Sequence, residues 1–268
     1  MPAPTWDPKQ YLRHADHRTR PFLDLLARIG PLPHGQAPRI ADLGCGAGNV
    51  TAVLAERWPG ARITGYDSSP RMLESARTHA GPLLDFAEAD AGTWVPAETY
   101  DLIVSNALLQ WVPGHTARFP HWLDALTPGG TLAFQVPGNF DAPSHTLMRE
   151  LAASPRWYDR LGGLLRHGDA VHTPAHYLEH LTGPRRTVDV WETTYLQLLQ
   201  GEDPVLDWVK GTGLRPLLDA LADDPEVLEA FVAEYSDLLR TAYPAGPHGT
   251  VFPFRRIFAV VRTSEEQL

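Results

Sequence analysis

The sequence predicts an α/β fold built on a doubly wound parallel sheet with helices on both faces. Three observations carry the prediction. Short apolar runs alternate with segments of helical spacing about five times between residues 36 and 136, the pattern of repeated strand–helix units. A glycine-rich turn, Gly44-Cys-Gly-Ala-Gly48, joins the first such run to the first such helix. Asp42, Asp67, Asp90 and Asn106 each stand at the carboxyl end of a run, the edge at which sheets of this kind bind ligands.

The elements follow in order. Tyr11, Leu12, Ala15, Phe22, Leu25, Leu26 and Ile29 recur at steps of three and four, so residues 9 to 29 read as helix, with Pro21 dividing it into one or two pieces. Pro31, Pro33 and Gly35 end that segment. Ile40 to Leu43 is a buried strand, and Val50, Val53, Leu54 and Trp58 share one side of the helix after the turn. Arg62 to Tyr66 is a second strand, after which Ser68 or Ser69 caps a helix opened by Pro70. A third strand runs from Phe86 toward Asp90, and Tyr100 to Asn106 is a fourth. Trp122 to Leu126 is helical, Thr127 to Gly130 a turn, and Thr131 to Val136 a fifth strand. Beyond Pro137, four prolines (143, 155, 174 and 184) punctuate mostly helical stretches, including helices at 145–153 and 175–181. Thr187 to Tyr195 alternates as a sixth strand, 204–221 and 225–242 are amphipathic helices, and Thr250 to Arg262 is the last strand.

Composition narrows the function class. The chain has 268 residues, 43% apolar and 21% charged, as in ordinary soluble globular proteins. A net charge of −9 disfavours a phosphate backbone as main ligand, so no nucleic-acid partner is expected. No run approaches the ~18 apolar residues of a membrane span, and the first residues lack a basic segment followed by an apolar one; a cytoplasmic protein without membrane contact is the expectation. The single cysteine, Cys45, excludes an internal disulfide and fits the turn as a small residue.

A strand, a glycine turn and a helix make a nucleotide-type site, because the helix start offers unpaired N–H groups to whatever lies over the turn. The dinucleotide fingerprint Gly-x-Gly-x-x-Gly would need its last glycine at position 49, which is Asn49. The pattern present is Asp-x-Gly-x-Gly-x-Gly. Asp42 at its mouth would repel a pyrophosphate but suits a ligand carrying an ammonium and a sulfonium, and that ligand is S-adenosylmethionine. Asp67, 25 residues on, occupies the position of an acid that binds ribose hydroxyls.

These residues carry a resemblance. Asp42-Leu-Gly-Cys-Gly-Ala-Gly-Asn49, Ile63-Thr-Gly-Tyr-Asp-Ser-Ser69 and Glu88-Ala-Asp90 are similar to class I methyltransferases in general. Asn106-Ala-Leu-Leu-Gln-Trp111, His145-Thr-Leu-Met-Arg-Glu150, Trp191-Glu-Thr-Thr-Tyr195, Asp207-Trp-Val-Lys-Gly-Thr-Gly-Leu-Arg-Pro216 and Phe254-Arg-Arg-Ile-Phe258 resemble, more narrowly, the trans-aconitate methyltransferase group, which esterifies a carboxylate of a small polycarboxylic acid. Arg255 stands where that group has proline, and residues 155–186 match poorly. The resemblance implies a Rossmann-like, mostly parallel seven-stranded sheet with an antiparallel last hairpin and a helical lid. It divides the chain into an N-terminal helical segment (1–35), a cofactor-binding core (36–136), a helical lid insertion (137–186) and C-terminal strands completing the sheet (187–268), with a second lid part at 203–242.

It also implies roles. The cofactor's methionine portion falls to Asp42, Gly44, Cys45 and Gly46, its ribose to Asp67, its adenine edge to Asp90 and Ala91, and its amino group to Asn106. Ser68, Met72 and Trp111 complete that set, and Tyr11 and Arg18 belong to a segment that closes over it. Methyl transfer from a sulfonium is an in-line displacement, and a carboxylate acceptor is already ionised at neutral pH, so no general base is assigned. The remaining carboxylates call for arginines, Arg215 and Arg256 first, with Gln110, Gln135, His145, His172, Tyr195 and Trp208 as further acceptor-pocket candidates. An alternative is a hydroxyl, amine or carbon acceptor, with His145 or His172 as base. His172, His176 and His180 beside Glu179 have a metal-like spacing, but Pro174 interrupts it and no His-Glu-x-x-His is present, so no metal is expected. A monomer or weak homodimer is expected.

Overall fold

The structure, a computed structural model, describes residues 15–165 and 170–264, with residues 15–18 as backbone only. Its elements fall in two units, the larger made of Asp16–Pro137, Val171–Thr193 and Arg256–Leu268.

The larger unit opens with helix α1 (Ala15–Ala27), which runs unbroken through Pro21. Phe22, Leu25, Leu26 and Ile29 are buried along one side, and that burial outweighs the hydrogen bond Pro21 cannot donate. Strands β1 (Arg39–Leu43), β2 (Arg62–Asp67), β3 (Leu84–Glu88) and β4 (Tyr100–Asn106) are parallel, with Asp42 opposite Gly65 on one side and Val104 on the other. Strand β5 (Leu126–Pro137) starts earlier than the sequence predicts. Its pairing steps from Tyr100↔Leu126 to Leu102↔Thr131, so Thr127–Gly130 is a bulge inside the strand and not a free turn. Strands β6 (Arg186–Leu199), β7 (Ala245–Gly246) and β8 (Gly249–Thr263) complete the strands among the described residues, and β8 lies antiparallel to β5 from Thr131↔Arg262 to Pro137↔Arg256.

The sheet order is β3-β2-β1-β4-β5-β8-β6. This is the seven-stranded path of the sequence reading, plus the two-residue β7, which pairs antiparallel with β8. The order reverses between β1 and β4, and sheets of this kind bind ligands in the crevice beyond the carboxyl ends at such a reversal. A core of Ile103, Phe119, Trp122, Phe134, Tyr177 and Leu181 holds the helices to the sheet.

The smaller unit takes Gly138–Ala170 and Thr194–Arg255. It holds helices α2 (Pro143–Ala152), α3 (Pro204–Lys210), α4 (Arg215–Ala220) and α5 (Pro225–Ala242) around Met148, Trp208, Phe231, Tyr235 and Phe252. Residues 204–221 thus form two helices where one was predicted. Gly211 ends the first, and Pro216, which lacks an N–H, fits only near the start of the second. Tyr235 Oη donates to the Ser144 carbonyl at 2.5 Å, and the Ser144 N–H donates to Tyr243 Oη at 3.0 Å, pinning the start of α2.

Candidate active site

The glycine turn leaves β1 and enters a helix over Asn49–Arg57. Asp42 is fully buried at the end of β1, and Thr51 from that helix donates its hydroxyl to Asp42 Oδ2 at 2.7 Å. Asp42 Oδ1 has no hydrogen-bond partner among the described residues. Burial pushes the carboxyl up to about 7; the Thr51 bond opposes the rise and the Asp67 charge adds to it. A buried acid with one bare oxygen is costly for the protein alone and fits a cationic ligand that supplies the missing partner.

The first amides of the turn are bonded within the protein. Gly44 and Cys45 N–H groups both donate to the Tyr66 carbonyl, at 2.8 and 3.0 Å, and the Gly46 N–H donates to Asp67 Oδ2 at 2.9 Å. These donors are therefore occupied by the protein itself and do not form a cradle for a pyrophosphate. Asp67 Oδ1 accepts from the Ser69 N–H at 2.9 Å; burial still holds its carboxyl above the usual range. Gly44 has φ 76°, and a Cβ there would lie 2.7 Å from Leu108 Cβ. Gly46 has φ 56° and open space where a side chain would stand, which is room for a ligand. Burial and the charges of Asp42 and Asp67 drive the Cys45 thiol far above its usual range, so it stays protonated and is no nucleophile.

Farther round the same edge, Ser68 is exposed and Met72 is buried, its N–H donating to Ser69 Oγ at 3.4 Å. Asp90 lies two residues past the end of β3; its Oδ1 accepts from the Gly92 N–H at 2.8 Å, and the following Ala91 is buried. Asn106 ends β4, and its Oδ1 accepts from Gln135 Nε2 on β5. Gln135 Oε1 in turn accepts from Arg256 Nη1 on β8 at 3.2 Å. All three side chains are buried, forming a polar line across three adjacent strands. Ala107, next to Asn106, has φ 56°, a strained value for a residue with a Cβ. It is held there by its N–H to the Gln135 carbonyl at 2.9 Å and by Gln110 Nε2 on its own carbonyl at 2.5 Å. Trp111 is half-buried beside them in sequence.

His172 donates its N–H to Tyr177 Oη at 3.3 Å and stacks on His176 at 4.1 Å; His176 stacks on His180 at 4.0 Å. Among the described residues no group of three His, Cys, Asp or Glu side chains is arranged to hold a metal. The remaining acceptor candidates belong to the smaller unit. His145 Nδ1 lies 3.1 Å from Ser144 Oγ and 3.4 Å from Asn139 Nδ2; burial, then Arg149, lowers its pKa to about 4. Tyr195 is buried, and Trp208 packs between Phe252 and Phe254 in the apolar core at 5.8 and 5.4 Å. Arg215 Nε lies 3.0 Å from Asp219 Oδ1, so an acid of its own helix already stands beside it. Tyr11 lies outside the described residues, and of Arg18 only the backbone is described, in α1. Sequence reasoning missed Thr51, Asn139 and Ala107. Thr51 carried a signal, since it falls one turn into the helix that faces the acid at the turn's mouth.

Comparison with known proteins gives concordant results. The family described as "Methyltransferase domain" matches residues 40–130. A trans-aconitate 2-methyltransferase of Streptomyces coelicolor is 69% identical, covering 98% of this chain and 88% of that protein. One of Streptomyces avermitilis is 70% identical over 97% and 98% of the two chains. Among solved structures, a SAM-dependent methyltransferase from Geobacter sulfurreducens, in complex with S-adenosyl-L-homocysteine, superposes with a TM-score of 0.51 at 17% identity, covering 95% of this chain and 91% of that one. That likeness is one of fold.

Proposed function

The chain belongs to the trans-aconitate 2-methyltransferase family, and from that premise we propose that it transfers a methyl group from S-adenosylmethionine to one carboxylate of trans-aconitate, a small polycarboxylic acid. The observation that carries the reading is the bare oxygen of fully buried Asp42 beside a glycine turn in which the Gly44, Cys45 and Gly46 amides are already bonded. Such a site favours a cation and offers little to a pyrophosphate.

When bound, the sulfonium supplies a methyl group that is already activated. Asp42 and the turn from Gly44 to Gly46 receive the methionine end, Asp67 the ribose, and Asp90 with Ala91 the adenine edge. Asn106 is fixed by Gln135, so it reaches the amino group from a set position. Arg256 and Arg215 neutralise the acceptor's remaining carboxylates, as planar guanidinium groups match carboxylates well. The attacking carboxylate is ionised at neutral pH and needs no base. His145, lowered to about 4, is a weak base for an acceptor that must first lose a proton. Residues 36–136 carry the cofactor in this reading, and the helical segments 137–186 and 203–242 serve the acceptor as a lid, with Tyr11 and Arg18 closing over the cofactor.

We further place the protein in the cytoplasm as a monomer or weak homodimer without nucleic-acid or membrane partners. The net charge of −9 disfavours a phosphate backbone as partner.

Incubation with methyl-labelled S-adenosylmethionine and a panel of di- and tricarboxylic acids tests the proposal by mass analysis. A base-labile monomethyl ester, formed fastest from trans-aconitate, is the expected product. Transfer to a hydroxyl or amine instead, or none to any acid, contradicts it.

A further inference from the structure

Asp42 is surrounded in a way that the cofactor reading alone does not explain. From the helix Asn49–Arg57 it meets Thr51, whose hydroxyl holds Oδ2 at 2.7 Å. From the end of β2 it faces the charge of Asp67, and from the turn the buried thiol of Cys45. Strand β4 contributes the uncharged Ser105, whose hydroxyl donates to the Leu43 carbonyl at 3.0 Å. Among these groups the charge acting on Asp42 is that of Asp67, which is negative, and the Thr51 hydroxyl opposes its effect.

We propose that Thr51 is a positioning residue for the cofactor: it clamps one oxygen of Asp42, leaves Oδ1 as the acceptor for the cationic methionine end, and makes cofactor binding proton-linked. The proposal rests on the S-adenosylmethionine reading above. In the empty protein the Asp42 carboxyl holds a proton up to about pH 7. A cation brought to Oδ1 favours the ionised form, so that proton leaves to solvent as the cofactor enters. The Thr51 hydroxyl donates to the ionised carboxylate and thereby assists the loss.

The test is calorimetric titration of the full chain with S-adenosylhomocysteine from pH 5.5 to 8.5, in buffers of different ionisation enthalpy. Affinity should be flat above about pH 7.5 and fall toward tenfold per pH unit below pH 7, with close to one proton released at pH 6. Thr51→Val should move the bend to higher pH and weaken binding at pH 7 by about tenfold, while Thr51→Ser should restore the native profile. A flat profile without proton release overturns the proposal, as does a folded Thr51→Val protein with an unchanged bend. Should Thr51→Val fail to fold, the proton count of the unaltered protein decides. Absence of binding even at pH 8.5 overturns the cofactor reading itself, and the proposal with it.

Discussion

Arg256 Nη1 donates to Gln135 Oε1 at 3.2 Å, between two buried side chains on adjacent antiparallel strands. Gln135 spends its other end on Asn106, so an arginine proposed to meet the acceptor is tied through one amide to an asparagine proposed to meet the cofactor. The link fixes both side chains before either ligand arrives, the kind of preorganisation a displacement reaction needs.

Replacing Arg256 by Ala should raise the acceptor KM by about 10- to 100-fold, the loss of a charge-assisted hydrogen-bond donor. S-adenosylhomocysteine affinity should change less than about threefold. Steady-state kinetics and calorimetry on the same preparation check both, and equal losses would contradict the division of roles.

The Asp42 carboxyl carries a stability consequence whose sign is fixed by burial. Its folded value, about 7, is above the unfolded 3.8. Between those pH values the folded state holds more protons, so stability declines as pH rises through the window and levels off above it. Asp42→Asn removes the penalty. Its melting temperature should exceed that of the unaltered protein by on the order of 10 °C at pH 8 and show little gain at pH 4, while cofactor binding is lost. Thermal melts at the two pH values read this directly.

Two glycines of the same turn should separate stability from binding. Gly44→Ala places a methyl 2.7 Å from Leu108 Cβ and should cost about 2 kcal/mol or more in folding. Gly46→Ala meets open space and should cost only about 1 kcal/mol for its positive φ, yet abolish binding by filling the ligand's room. Denaturant melts and calorimetry on the pair distinguish the two effects.

Ala107→Gly should relieve the strain at φ 56° and raise the melting temperature by about 2–4 °C. A looser Asn106–Gln110 segment should lower the turnover number at the same time. A variant both more stable and equally active would show that the strain serves no catalytic purpose.

Much of this was legible because it depends on local pattern. Strand β4 and the helix Pro225–Ala242 fall where the sequence places them, since buried alternation and amphipathic spacing read the same in any context. The acid at the turn was legible too, because only a few ligands tolerate a carboxylate there. What escaped depends on partners far along the chain. The bulge at Thr127–Gly130 follows from pairing with Tyr100, and the choice between one helix and two at Pro21 from the burial of its apolar side. The bonds from the Gly44, Cys45 and Gly46 amides to the Tyr66 carbonyl and Asp67 depend on β2, a neighbour that the local pattern of the turn does not show. Trp208 reads as core packing more readily than as a pocket aromatic, and Phe252 and Phe254 close around it.

The most direct measurement is a crystal structure of the protein with S-adenosylhomocysteine and trans-aconitate. The account predicts the ligand's ammonium within about 3 Å of Asp42 Oδ1 and an acid carboxylate on the Arg256 guanidinium. An adenosyl group bound elsewhere, or an acceptor held without guanidinium contact, would contradict it.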